Sequence, residues 1–155
     1  MPREVEIEER MKPHFIAMFT VTSLVASVAV GDIYYDSEGD IATGNPNLDI
    51  TQVEVTTNGS DISFSITVAD LDADWGNYLI FMDYDLTTGA PENNNPWGRD
   101  IGGYAGFDSF TGAWLNDGGG SQHWVFIEPL GNEWYNASNP TTTIDWATST
   151  ITFNY

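Results

Sequence analysis

The feature that most constrains this fold is a period of two in the residues on either side of Asn58-Gly59. Apolar or β-branched residues alternate with polar ones through Val53–Thr57 and again through Ile62–Val68. Such alternation puts one set of side chains on a single face of a strand. Asn-Gly between two such runs is the strongest short-range signal for a β-hairpin. The folded part, from about Asp32, is therefore predicted to start with a hairpin that buries one face.

Strand signals continue to residue 155, and the helical period is lost after Asp32. Tyr78–Met82 is almost continuously apolar, which indicates a strand covered on both faces. The other predicted strands are separated by turn-rich segments: Phe107–Leu115, Gln122–Glu128, Glu133–Asn136 and Thr148–Tyr155. About seven short strands with such joints predict an all-β fold, an antiparallel β-sandwich of the jelly-roll or immunoglobulin-like kind.

The first 31 residues differ in character from the rest. Residues 1–10 are charged, and a short basic start at Met11 leads into the apolar run Phe15–Val30. This pattern is typical of a secretory signal peptide, with a buried helix as the alternative, and the run is short for a membrane span, which needs roughly 20 apolar residues. We expect an over-extended start plus signal peptide at 1–31, secretion, no membrane attachment after cleavage, and one sandwich domain at 32–155 that is incomplete at its C-terminus.

The charge of the chain is far from balanced. It carries 23 acidic residues against 4 basic ones, a formal net charge of −19, and after Gly31 the only base is Arg99. Such a surface repels nucleic acid and anionic membranes, so neither is expected as a partner. Divalent cations, neutral ligands such as sugars, or simply a salty medium would suit it. Cysteine is absent and one histidine follows the leader, which excludes disulfides and disfavours zinc.

Carboxylates cluster at three places where strands are expected to begin or end. The clustered residues are Asp36, Asp40, Asp49, Asp70, Asp72, Asp74, Asp83 and Asp85. Calcium takes about six to eight oxygen ligands in irregular geometry, so we predict that these side chains hold calcium. The alternatives are solvated carboxylates in Asx turns and, for Asp83 with Asp85, an acid pair that hydrolyses glycosides. We favour a non-catalytic domain, because no catalytic partner can be singled out among so many acids.

The segment from Asp83 to Asp108 has neither strand alternation nor helical period. Ordered loops of this length usually carry function, so we interpret it as a site-bearing loop held by calcium. Arginine forms planar, two-pronged contacts with carboxylates. We expect Arg99 to pin this loop to an acid such as Asp83, Asp108 or Asp117, with contact to a ligand as the alternative.

Six tryptophans are many for a chain of 155 residues. Exposed Trp rings pack on the C–H faces of sugars, although Trp also fills cores. Trp114 and Trp124 fall within predicted strands. The candidates for a ligand-binding face lie in or beside turns: Trp75, Trp97 and Trp134, together with Arg99.

Met82 and His123 are the only methionine and histidine after the leader. A Met/His pair can supply the axial ligands of a haem, which would make the domain an electron-transfer protein. Met82 also belongs naturally to the apolar strand, and no other residue pattern supports haem.

Short motifs in residues 32–155 resemble the family 9-like carbohydrate-binding modules, or DOMON-like β-sandwiches, of secreted bacterial proteins. These motifs are Asp36–Asp40, Asn47–Ile50, Asn58-Gly59, Asn77–Ile80, Asn95–Arg99, Gly112–Trp114 and Asp117–Gly120. The resemblance implies a sandwich with structural calcium at the N-terminal acidic turn, where Asp36, Asp40 and Asp49 match, and sugar or haem as the ligand in different branches. The paired tryptophans that clamp sugar in the founding module have no residue-by-residue match here.

These patterns and the resemblance together predict a secreted, calcium-stabilised, non-catalytic domain that binds polysaccharide or cell-envelope glycan. The alternative is an extracellular adhesive or structural domain whose acidic face meets proteins or salt instead of sugar. A haem-binding electron-transfer domain is the third hypothesis.

Overall fold

The computed structural model of the chain describes residues 30–84, 89–100, 105–128 and 133–155. The expected signal peptide and Asp85 lie outside these ranges. Within them the chain forms nine strands: β1 Val30–Tyr35, β2 Ile50–Asn58, β3 Asp61–Val68, β4 Asn77–Met82, β5 Ser109–Trp114, β6 Gly120–Ile127, β7 Glu133–Asn136, β8 Thr141–Asp145 and β9 Thr150–Asn154. A 3₁₀ turn, Pro46–Leu48, precedes β2. No helix in the described ranges has the length and hydrophobicity that a membrane span requires.

The strands form two antiparallel sheets. The five-stranded sheet has the order β1-β2-β3-β9-β8, and the four-stranded sheet has the order β4-β5-β6-β7. The β2–β3 hairpin closes with Asn58 opposite Asp61. Gly59 takes a φ of +68° in this turn, a left-handed conformation that glycine adopts without steric cost. The hairpin predicted around Asn58-Gly59 is confirmed.

The hydrophobic core lies between the two sheets. From the five-stranded sheet it takes alternate residues of β3 and β9, and from the side of the other sheet it takes one residue each of β4 and β5 and the residue after β5: Phe64, Ile66, Val68, Ile151, Phe153, Tyr78, Ala113 and Leu115. Burial of every second residue along β3 and β9 is the pattern of a sandwich. The predicted all-β sandwich is confirmed.

Two strands, β1 and β8, were not expected from the sequence, and both lie at the edges of the five-stranded sheet. β8 has Ile144 as its only large apolar residue, so it shows no alternation. β1 begins at Val30, inside the segment expected to be the leader. Its residues from Gly31 to Tyr35 are all exposed, so no buried face marks it in the sequence.

A small polar group lies among the apolar residues between the sheets. Nδ1 of His123, on β6, lies 2.9 Å from the Thr111 hydroxyl oxygen and 3.2 Å from that of Tyr155. Burial lowers the pKa of His123 below its usual value of 6.5, although a hydrogen bond with the Phe110 backbone opposes the shift. The folded state therefore favours the neutral imidazole.

This shift makes stability depend on pH in a defined direction. Because the folded pKa of His123 is lowered, its contribution is complete above about pH 6.5 and is lost as the pH falls through the folded value. We expect the free energy of unfolding of wild type, relative to His123→Gln, to decrease by at most about 1.4 kcal/mol per pH unit, and by less where solvent reaches this half-buried ring. Urea unfolding of both proteins between pH 7.5 and 5.5 measures this difference. A difference that stays constant over that range would contradict the assignment.

Candidate ligand-binding cleft

The four-stranded sheet has a second apolar face, directed away from the core. This outer face carries large side chains from all four strands: Leu79, Phe81, Phe110, Trp114, Trp124, Phe126 and Trp134. Phe110 is fully buried. Its ring stacks on Phe81 at a centroid distance of 5.2 Å and meets Trp134 edge-on at 5.6 Å. A face this apolar must be covered, and the sandwich core does not cover it.

Residues 89–100, which we call the cover segment, lie over this outer face. The Trp97 ring packs edge-on against Phe110 and Trp114, at 5.7 and 6.0 Å between centroids. Its Nε1 donates a hydrogen bond to Gln122 Oε1 at 2.9 Å. The ring also lies so close to Gly112 that a Cβ added there would be 2.5 Å from it. Trp97 therefore sits directly on the bare backbone of β5.

One buried amide closes the tip of the cover segment. Asn95 Nδ2 donates to the carbonyl oxygen of Arg99 at 2.8 Å, and Asn95 Oδ1 accepts the backbone N–H of Arg99 at 3.0 Å. Trp134 holds the same segment from β7, since its Nε1 donates to the Asn94 carbonyl oxygen at 2.9 Å. These bonds fix the position of the Arg99 backbone, and Arg99 is exposed.

A cleft of about 460 Å³ lies where the cover segment approaches the start of β4. Its apolar lining comes from Leu48, Leu79 and Phe81, and its polar groups come from Asn77, Arg99 and Asp100; Trp75 also lines it. Trp75 is 47 % exposed. Its volume falls in the range of small-molecule sites, and its lining is polar and apolar in about equal parts. We call it the Trp75 cleft.

The turn that carries Trp75 is held in place by hydrogen bonds that involve Asn47, Tyr78 and Asp72. Asn47 Nδ2 donates to the Trp75 carbonyl oxygen at 3.2 Å, and the Tyr78 hydroxyl donates to the Asn47 carbonyl oxygen at 2.8 Å. Burial, with a smaller effect of Asp72, raises the pKa of Tyr78 to about 12. The phenol therefore remains a donor at neutral pH. Trp75 itself is bridged to Asp72 across the turn.

The predicted ligand-binding residues divide into two groups. Trp75 and Arg99 line one cleft, although they are 24 positions apart in the sequence. Trp97 packs against the outer face of the four-stranded sheet, and Trp134, which belongs to that face, holds the cover segment through its bond to Asn94. A role of Trp97 and Trp134 in ligand binding stays a prediction, and the Trp75 cleft does not depend on one.

The acidic turn before β2 is organised by its own backbone. The buried carboxylate of Asp49 accepts the Gly39 N–H at 2.6 Å, and Asp36 Oδ1 accepts the Ser37 N–H at 2.9 Å. Asp36 and Asp40 are exposed. The bond between Gly39 and Asp49 joins the two ends of this acidic segment.

The second acidic segment lies beside the first. The Ala69 N–H donates to the Asp49 carbonyl oxygen at 2.9 Å, which brings the Asp70–Trp75 turn against the Asn45–Asp49 turn. Asp72 Oδ1 accepts the Asp74 N–H at 2.9 Å. Asp70, Asp72 and Asp74 are all exposed.

Asp83 differs from the other predicted metal ligands. Its Oδ1 is buried and has no hydrogen-bond partner. Asp108 lies across from it, because Met82 pairs with Ser109 and the Asp108 N–H donates to the Met82 carbonyl oxygen at 2.9 Å. Asp108 Oδ2 accepts the Tyr84 N–H at 2.7 Å. Among the described residues no three Asp, Glu or His side chains are grouped so as to hold a metal ion, and Asp85 lies outside them, so calcium stays a prediction.

The two residues of the haem hypothesis lie on the core side of the four-stranded sheet. Met82 packs against the core, and Nδ1 of His123 lies within hydrogen-bond distance of the hydroxyl oxygens of Thr111 and Tyr155. The haem hypothesis stays a prediction.

Sequence reasoning did not single out Asn77, Leu79, Phe81 or Asp100 as site residues. The first three are alternate residues of β4, so the period-two pattern does place them on one face. Tyr78–Met82 was interpreted as a strand covered on both faces, and the structure leaves part of its outer face open to the cleft. Comparisons of the chain with protein-family models, with curated proteins and with solved structures return no match.

The contact of Trp97 with Gly112 can be tested by a double-mutant cycle. Gly112→Ala would place a methyl group against the Trp97 ring, and overpacking of this kind costs about 1–3 kcal/mol. In a Trp97→Ala background the same methyl group has space, so we expect Gly112→Ala to cost less there by about 1 kcal/mol or more. Chemical unfolding of the four proteins measures the coupling. Equal costs in the two backgrounds would show that the ring does not sit on Gly112.

Proposed function

We propose that the chain is an exported, non-catalytic carbohydrate-binding domain and that sugar binds in the Trp75 cleft. The observation that carries this proposal is that Trp75, with almost half of its surface exposed, lines a cleft together with Arg99, and that the lining of this cleft is polar and apolar in about equal parts. An aromatic ring can stack on the C–H face of a sugar ring. A guanidinium, a carboxylate and an amide close to this ring can form hydrogen bonds with the hydroxyl groups of the sugar.

The charge of the chain favours a neutral ligand. After Gly31 Arg99 is the only base, and it lines the cleft together with Asp100. An anionic ligand would meet one cation within a field dominated by carboxylates, and long-range repulsion would slow its approach. A neutral glycan meets no such barrier, so neutral polysaccharide or cell-envelope glycan is the proposed class of partner.

The lining of the cleft supports binding over catalysis. Hydrolysis of a glycoside requires two carboxyl groups that flank the bond. Among the described residues that line the Trp75 cleft, Asp100 is the one carboxylate. Asp83, the acid of the alternative catalytic pair, follows the opposite end of β4.

We further propose that calcium stabilises the domain at the end of β4. An unpartnered buried carboxylate oxygen costs free energy, and a cation bound to Asp83 would remove that cost. Asp83 Oδ1 has this property in the structure, and carboxylate oxygens are ligands that calcium prefers. Asp83 and Asp108 are the described residues that would hold the ion.

Glycan binding can be tested with matched tryptophan variants. Trp75→Ala should abolish binding on a glycan array probed at neutral pH with calcium present, because it removes the stacking surface of the cleft. Trp146→Ala is the control, since Trp146 lies in the turn between β8 and β9 and is similarly exposed, at 51 %. We expect the control to bind like wild type. An array on which wild type binds nothing would overturn the proposed function, and equal loss in both variants would exclude the cleft as the site.

Calcium can be tested by thermal unfolding in excess chelator. A ligand at 100 times its Kd adds about 2.7 kcal/mol to stability, so we expect the chelator to lower the Tm by about 10 °C. Asp83→Asn should remove this sensitivity, whereas Asp61→Asn, which changes the same charge in the β2–β3 turn, should keep it. A wild-type melt that is unchanged by the chelator would exclude calcium.

One observation favours the second candidate, an extracellular adhesive domain. Among the described strands β1 pairs with β2 alone, and its side chains Ile33, Tyr34 and Tyr35 are 45, 61 and 77 % exposed. A free strand edge with exposed apolar side chains can add a strand from another protein. A blank glycan array would leave this as the better proposal.

A further inference from the structure

Trp75 lines two clefts. On one side is the Trp75 cleft, and a second cleft of about 350 Å³ also has Trp75 in its lining. The second cleft is lined by Asn45, Asn47, Asp70 and Asp72 among others. Trp75 is the one described residue that lines both clefts, so the two clefts meet at this residue. A ligand bound at Trp75 in one cleft therefore has a second recess within reach.

Both clefts are formed by segments that are held in place without a ligand. The second cleft lies between the Asn45–Asp49 turn and the Asp70–Trp75 turn, which are tied by the bond from Asn47 Nδ2 to the Trp75 carbonyl oxygen and by the Asp70 N–H to the Pro46 carbonyl oxygen at 3.3 Å. Sites whose walls are already ordered lose less free energy on binding. The recesses are thus built into the fold.

We propose that the ligand is a linear, neutral glycan that crosses Trp75 and occupies both clefts, with sugar units on each side of the indole. This inference rests on the proposed function and specifies the kind of ligand: an internal stretch of a chain rather than a single sugar or a chain end. Each recess falls in the size range of small-molecule pockets, so each has room for part of such a chain.

The two recesses differ in the polar groups that they offer. The Trp75 cleft has the donors of Arg99 beside Asp100, whereas the described lining of the second cleft has the carboxylates of Asp70 and Asp72 and contains no base. Ionised carboxylates only accept hydrogen bonds, so the second cleft suits hydroxyl groups that donate and rejects a sugar acid. Because the ends of the groove differ, the chain should bind in one direction.

The inference is tested with the neutral glycan that the array identifies, prepared as oligosaccharides from disaccharide to hexasaccharide. Calorimetric titration of wild type should show affinity that rises by about tenfold or more once the chain is long enough to pass Trp75, because hydrogen bonds to charged groups in the second cleft are then added. Affinity that is the same for the disaccharide and the hexasaccharide would overturn the inference while leaving the proposed function intact. A blank array would overturn both.

A pair of aspartate variants tests the second cleft directly. Asp72→Asn removes a charge from the second cleft but keeps an oxygen to accept the Asp74 N–H, so the turn should survive. Asp74→Asn makes the same charge change in the same turn on a residue that lines neither cleft. We expect Asp72→Asn to lower the affinity for the hexasaccharide by about tenfold and the affinity for the disaccharide much less. Asp74→Asn should lower neither affinity. An equal loss for short and long chains, or equal effects of the two variants, would contradict binding in the second cleft.

Discussion

The contact of the Trp97 ring with the bare backbone of Gly112 is the interaction on which the site depends. The four-stranded sheet has aromatic side chains on its outer face, and water would otherwise reach them. Gly112 leaves a gap in that face, and the ring of Trp97 fills it. The hydrogen bond to Gln122 then fixes the rotation of the ring. Because Trp97 is two residues from Arg99, this packing positions the one base that lines the cleft.

The turn that contains Arg99 is closed by the amide of Asn95 and not by the Arg99 guanidinium. We expected its side chain to pin the loop to an acid, and the structure shows that the amide of Asn95 closes this turn through both backbone groups of Arg99. The guanidinium is therefore not needed to close the turn. Arg99 is the one base after Gly31 and it lines the cleft. This position is consistent with the proposed contact between Arg99 and a ligand, because an arginine provides several hydrogen-bond donors in one plane.

The fold was largely predictable from the sequence, and the site was predictable only in part. Alternation in the sequence identified β2, β3 and β9, and in β3 and β9 the structure buries every second residue; β4 was identified by its continuous apolar run. β8 was missed because its inward positions include Thr142 as well as Ile144, and β1 because it buries neither face.

The sequence could not predict which tryptophans are exposed and which pack against the sheet. Trp75 and Trp97 both lie in turn-rich segments, and only the position of Gly112 decides that Trp97 packs inward. Similarly, the carboxylates of Asp36, Asp49 and Asp72 accept backbone N–H groups nearby, a use that composition does not distinguish from metal binding.

The geometry of β4 separates the proposed ligand site from the proposed ion site. Trp75 and Asn77 stand at the beginning of this strand, and Asp83 follows its end. Six residues of extended chain span roughly 20 Å, which is too far for an ion at Asp83 to touch a sugar stacked on Trp75. An ion there would act on the ligand only through the stability of β4, whose Leu79 and Phe81 line the cleft. Sugar affinity and chelator sensitivity are therefore separate physical quantities in this domain, and loss of one does not require loss of the other.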